Sequence, residues 1–150
     1  MIIGICGLIG SGKDTIADHL VDDHSFVKLS FADKLKDSVA TMFDWNRDLL
    51  DGKTEQSRKW REQMDPFWSM ELKHEVTPRL VLQKFGTECM RDGFYDGIWV
   101  SLVKKKLKDN PQINWVIPDV RFENEANMIQ ELGGEVWWVK RGQLPMWFRM

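Results

Sequence analysis

The sequence predicts an α/β fold, a parallel sheet with helices on both faces, and three observations carry that expectation. A short apolar run at the N-terminus breaks into a glycine-rich loop and then into an amphipathic helical pattern. Strand-like and helix-like signals continue to alternate toward the C-terminus. The length, 150 residues of which 43% are hydrophobic, suits one domain with its own core, so residues 1–150 are expected to form a single domain.

The elements follow in order. Ile2, Ile3, Ile5 and Cys6 make a buried strand, and the glycines between Gly7 and Gly12 end it. Ile16, Ala17, Leu20 and Val21 then share one helix face, with Asp18, His19 and Asp22 opposite. Alternation of Val27, Leu29 and Phe31 with Lys28 and Ser30 predicts a second strand, and Ala32, Leu35, Val39 and Met42 space a second helix. From about 44 to 76 the spacing fails, and an inserted, partly helical segment is expected. Thr77-Pro78 is a good helix start and Gly93 a stop, with Val81, Leu82, Phe85 and Cys89 as the buried stripe. A helix over 97–109 turns Trp99, Leu102, Val103 and Leu107 inward and four lysines outward. Ile113 to Ile117 predicts a strand, Glu123 to Leu132 a helix ending at Gly133, and Val136 to Val139 a last strand.

Composition narrows the function classes. Lys plus Arg number 21 against 23 Asp plus Glu, and a net charge of -2 offers no long-range field for nucleic acid or an anionic membrane. The two cysteines, Cys6 and Cys89, make no disulfide framework and fit a reducing compartment. The opening MIIGICGLIG has no basic segment before it, and Lys13 and Asp14 soon follow, so it predicts a strand rather than a signal peptide. No other apolar run approaches the ~18 residues of a membrane span. A soluble, cytoplasmic protein is expected.

Gly7-Leu8-Ile9-Gly10-Ser11-Gly12-Lys13-Asp14-Thr15 matches G-x-x-x-x-G-K, with Asp14 where Ser or Thr is common. Glycines let the chain curl around phosphate oxygens with its N–H groups inward, Lys13 adds a mobile charge, and the following helix adds its positive end. Gly10, Ser11, Gly12, Lys13, Asp14 and Thr15 are therefore candidates for binding ATP. Magnesium could be met by Asp14 through water or by Thr15 directly. A dinucleotide loop would need glycine at Thr15.

Neither NKxD nor DxxG occurs, which argues against a GTPase switch. A kinase for a small acceptor needs arginines that hold the acceptor and spread the transferred charge. Pro118-Asp119-Val120-Arg121 follows a predicted strand, where ligands of such sheets collect. Asp119 could hold magnesium or a sugar hydroxyl, or cap the next helix; Arg121 suits phosphate. Arg79 lies in a first helical turn. Gly86 interrupts a helical pattern at a cost of ~1 kcal/mol, which predicts a close approach to its backbone by a ligand or by a packed helix. Trp99 suits a base or the core equally. Glu125, one turn past Arg121, could orient its guanidinium or favour a helix start.

GSGKDT with Ala17, RLVLQKFGT from Arg79 to Thr87, Trp99, and PDVRFENE from Pro118 to Glu125 together resemble the deoxynucleoside monophosphate kinases of tailed bacteriophages. The likeness spans most of the chain and is weakest over Asp44 to Glu75. It implies a three-layer fold of the P-loop nucleoside triphosphate hydrolase type and transfer of the γ-phosphate of ATP, with Mg2+, to a dNMP in a host cytoplasm. By resemblance, Gly12, Lys13, Asp14 and Thr15 contact ATP, and Arg79, Gly86, Trp99, Asp119, Arg121 and Glu125 surround the acceptor.

Members of this family continue past the position of Met150 into a further strand and helix. A sheet truncated at its C-terminal end is therefore an expectation, and Trp147 and Phe148 would need cover. Lys13, Asp119 and Arg121 are the expected catalytic groups, Arg79 the anchor of the acceptor phosphate, and Arg58 or Arg61 could ride on a mobile cover. Competing expectations are a kinase for another small acceptor, a nucleotide-dependent nucleic-acid binder using Lys53 to Trp68, and an inactive binding module. A homodimer stays open.

Overall fold

The computed structural model describes residues 1–7 and 12–139. Gly10, Ser11, Trp147 and Phe148 lie outside them. The chain divides into two compact units, one of Met1–Phe31 and the chain from Trp99 onward, the other of Ala32–Ile98.

The first unit is the predicted α/β architecture. Strands β1 (Ile2–Cys6), β2 (Val27–Lys28), β3 (Trp115–Val120) and β4 (Glu135–Trp138) form a parallel sheet in the order β2-β3-β1-β4. Helix α1 (Lys13–His24) returns the chain from β1. Its Ala17 and Leu20 pack on Ile3, Ile5 and Val116, on one face of the sheet. The opposite face carries Trp115, Ile117 and Cys6, covered by Val103 and Leu107 of one helix and Ala126, Met128 and Ile129 of another. Alternating residues of a strand point to opposite faces, so burial on both faces gives the continuous apolar runs read in β1 and β3. Helices on both sides of a parallel sheet, with a glycine loop after β1, make this a P-loop kinase fold.

Two strand expectations need correction. β2 is only two residues long, and Val27 is 45% exposed at the sheet edge while Leu29 and Phe31 are buried. β3 begins at Trp115 and runs on through Pro118 to Val120, because the pairing with β1 changes step there: Gly4 pairs with Ile117 but Cys6 with Val120. One extra β3 residue lies between those pairs. Such a bulge accommodates Pro118, which has no N–H for the ladder.

The second unit has its own core. Helix α2 (Asp33–Phe43) presents Leu35, Val39 and Phe43, while Met42, expected inward, is 62% exposed one residue off that stripe. The segment without periodicity holds three short helices: α3 (Arg47–Asp51), α4 (Glu55–Arg61) and α5 (Pro66–Leu72). Each starts at a side-chain cap, Asn46, Thr54 and Asp65 accepting the N–H groups of Asp48, Ser57 and Trp68. Leu50 of α3 is fully buried with Val39 and with Leu82 of α6 (Pro78–Gln83). α6 opens at Thr77, whose hydroxyl accepts from Leu80 N–H at 3.1 Å, then widens into a π-helix over Lys84–Asp92. That i→i+5 winding breaks the four-residue stripe, and Cys89, expected inward, is exposed.

Helix α7 (Ile98–Asp109) buries Trp99, Val103 and Leu107, with its lysines exposed; Leu102 is half-buried. Helix α8 (Glu123–Glu131) ends before Gly133, whose φ of +84° explains the glycine.

Candidate functional site

Two carboxyl strand ends lie side by side in the first unit, those of β1 and β3, and both lead into candidate residues. β1 delivers the phosphate loop. Gly12 is the N-cap of α1 at φ +93°, and among the described residues a Cβ there would meet nothing within 4 Å. The glycine is thus required by backbone conformation rather than by crowding. The N-cap glycine has no side chain to accept from the first-turn N–H groups, which can turn to an anion, and Lys13 is the first residue of α1. Asp14 and Thr15 follow in the same turn, exposed. This donor set fits the phosphates of a triphosphate, with Asp14 and Thr15 the residues that could hold its metal. Among the described residues no group of three or more His, Cys, Asp or Glu forms a metal cage.

β3 delivers Asp119 from the bulge. Its carboxylate accepts Ser30 Oγ–H at 2.6 Å and the Phe31 backbone N–H at 3.2 Å, which ties the chain leaving β2 to β3. Burial pushes the Asp119 carboxyl up from its ordinary value, while the hydrogen bonds from Ser30 and Phe31 and the charge of Arg121 pull the other way. Ser30 was not a sequence candidate. It stood inside the predicted second strand as one of its polar positions, and only the early end of β2 at Lys28 puts it just past a carboxyl strand end.

Glu125 serves the main chain. Its Oε1 accepts the backbone N–H of Arg121 at 2.8 Å and of Phe122 at 3.0 Å, and the side chain is 6% exposed. Two orphan donors before α8 are satisfied, which fixes where Arg121 leaves the strand. These two bonds act on the backbone of Arg121 and Phe122. Glu125→Ala should cost about 2 kcal/mol of unfolding free energy by leaving two N–H groups without an acceptor, read as a lower urea midpoint.

The thiol of Cys6, last in β1, is buried. Burial raises its pKa, Lys13 lowers it and Glu125 raises it, so the starts of α1 and α8 both lie within electrostatic reach of this one atom.

Arg79 and Gly86 belong to the second unit. Arg79 is 66% exposed and donates Nη1 to Glu62 at 2.8 Å. Gly86 is buried, and a Cβ there would come 3.0 Å from a methyl of Leu35 of α2. Trp99 is 7% exposed, at the start of the first unit's second segment.

The chain is 37% identical over 145 residues to a protein of Acanthamoeba polyphaga mimivirus named "Putative deoxynucleotide monophosphate kinase", across 89% of this chain and 70% of that one. It is 39% identical over 57 residues to the deoxynucleoside-5'-monophosphate kinase of Escherichia phage T5, across 37% of this chain and 22% of that one. No family model matches it.

Proposed function

The chain belongs to the viral and phage deoxynucleoside monophosphate kinase family, and from that premise we propose that it transfers the γ-phosphate of ATP to a dNMP, giving dNDP and ADP. It is a phosphotransferase. The observation that carries the reading is the adjacency of β1 and β3, which sets a helix N-terminus with Lys13 beside a strand end bearing Asp119 and Arg121.

The acceptor's phosphate is largely dianionic at pH 7, its second pKa being ~6, and so attacks without a strong general base. Catalysis is then alignment and charge neutralisation. Lys13 and the α1 N–H groups hold the donor phosphates, Arg121 meets the transferred group, and Arg79 binds the acceptor phosphate. Asp119 takes a sugar hydroxyl or the metal's water shell. Asp14 or Thr15 would hold Mg2+, which would supply charge neutralisation on the donor phosphates when bound with ATP. The nucleotide is the partner we assign, and a host cytoplasm the place of action. No helix among the described residues is long and apolar enough to cross a membrane.

ADP release against the four deoxy and four ribo monophosphates tests this. Release above the acceptor-free rate is expected with at least one deoxy acceptor. Equal rates with and without every monophosphate would refute the assignment.

A further inference from the structure

Asp119 is the one residue of β3 that keeps some exposure, set between the buried Pro118 and Val120. Its two carboxylate oxygens are not treated alike. Oδ2 accepts the Ser30 hydroxyl at 2.6 Å and the Phe31 N–H at 3.2 Å, while Oδ1 has only a stretched contact with that same N–H at 3.4 Å. The 2.6 Å bond is of the short, charge-assisted kind. Among the described residues no side chain donates to Oδ1. A carboxylate clamped through one oxygen keeps the lone pairs of the other for a ligand.

The neighbours of Ser30 place its hydroxyl. Leu29 and Phe31, on either side, are 5% and 6% exposed and pack into the same core as Ile117 and Val120 of β3. The backbone at Ser30 is thus held from both sides against the strand that carries Asp119, so the hydroxyl reaches the carboxylate at little cost in conformational entropy. A tie between the two chains was not wanting. The N–H groups of Val27 and Leu29 already donate to the carbonyls of Asn114 and Val116 at 2.8 and 2.9 Å, beside the ladder of β2 and β3. The bond from Ser30 adds what the ladder does not, a fixed direction for one carboxylate at a strand's carboxyl end. All these residues belong to the first unit.

We propose that Ser30 is a positioning residue for phosphoryl transfer, its hydroxyl fixing Oδ2 of Asp119 so that Oδ1 is the oxygen presented to the bound nucleotide. This rests on the kinase reading, in which Asp119 faces the substrates, and it adds to that site a residue from the chain leaving β2.

Steady-state ADP release tests the role, with ATP and whichever of the four deoxy monophosphates wild type turns over fastest, beside a thermal melt of every variant. Ser30→Ala should lower kcat about 10-fold and change KM for either nucleotide by less than about twofold, because an aim that counts once the reacting atoms are aligned shows in kcat. Ser30→Thr keeps the hydroxyl and should recover most of the rate. Added to Asp119→Asn, Ser30→Ala should cost little more, since no carboxylate is left to aim. A mere tie between chains would lower the melting temperature and leave kcat alone. Wild-type kcat in folded Ser30→Ala, or losses that multiply in the double variant, would overturn the role and leave the kinase reading in place. If Ser30→Ala does not fold, Ser30→Cys decides, its thiol being a weak donor: a lowered kcat supports the role and a wild-type kcat overturns it. A wild type that releases no ADP above the acceptor-free rate with any monophosphate refutes the kinase reading itself, and the role of Ser30 with it.

Discussion

Lys13→Ala is expected to lower kcat for phosphoryl transfer by about 100- to 1,000-fold, the usual loss on removing one group that stabilises transition-state charge. Lys13 is the first residue of α1, just after Gly12 turns the chain at φ +93°. The α1 N–H groups remain when the lysine is removed, so ground-state grip on the phosphates should fall less than the rate. KM for ATP should rise less than kcat drops. Alanine suits a first helical turn, and the unfolding midpoint should stay close to wild type. Lys13→Arg should recover only part of the rate, because a planar fork does not replace a compact ammonium on a flexible stem. Steady-state ADP release with saturating dNMP, beside a thermal melt, measures both quantities. Wild-type turnover in Lys13→Ala would remove the lysine from the chemistry.

The start of this site was legible because its signals are local. A strand run, glycine spacing and a helical pattern within the first two dozen residues were enough to place β1, Gly12, Lys13 and α1. The end of β3 was not, because Pro118 marks a boundary in a ladder and only the pairing with β1 reveals the bulge that carries the strand to Val120. Glu125 was noticed for its charge and missed as a backbone cap, since Phe122 before α8 lacks the hydroxyl that announces a capping box. Periodicity failed over 44–76 because helices of five and seven residues complete too few turns to show it. Their caps, Asn46, Thr54 and Asp65, were readable one by one. That α3 and α4 share a core with Val39 and Leu82 depends on contacts distant in sequence.

Asp119→Asn should separate function from stability by moving them in opposite directions. Burial holds the Asp119 carboxyl above its ordinary value despite the donors Ser30 and Phe31 N–H and the charge of Arg121. With the folded pKa above the unfolded one, the stabilisation tied to the protonated form is complete below the unfolded pKa and is lost as pH rises through the folded pKa. At pH 7 the ionised carboxylate is therefore held at a cost. Asparagine is neutral and close to isosteric. Its amide oxygen, in the place of Oδ2, can accept both the Ser30 hydroxyl and the Phe31 N–H. The melting temperature of Asp119→Asn at pH 7 should match or exceed wild type, and the two should converge as pH falls below ~4, where the aspartate of wild type is also protonated. Turnover should meanwhile fall about 100-fold, since an amide replaces the charge proposed to face a sugar hydroxyl or the metal's waters. Melts from about pH 3 to 8 alongside kcat give both readouts. A lower melting temperature at pH 7 with full turnover would make Asp119 a tie between β2 and β3 and nothing more. A gain in stability with a loss of turnover is what a site residue kept ionised against its surroundings must produce.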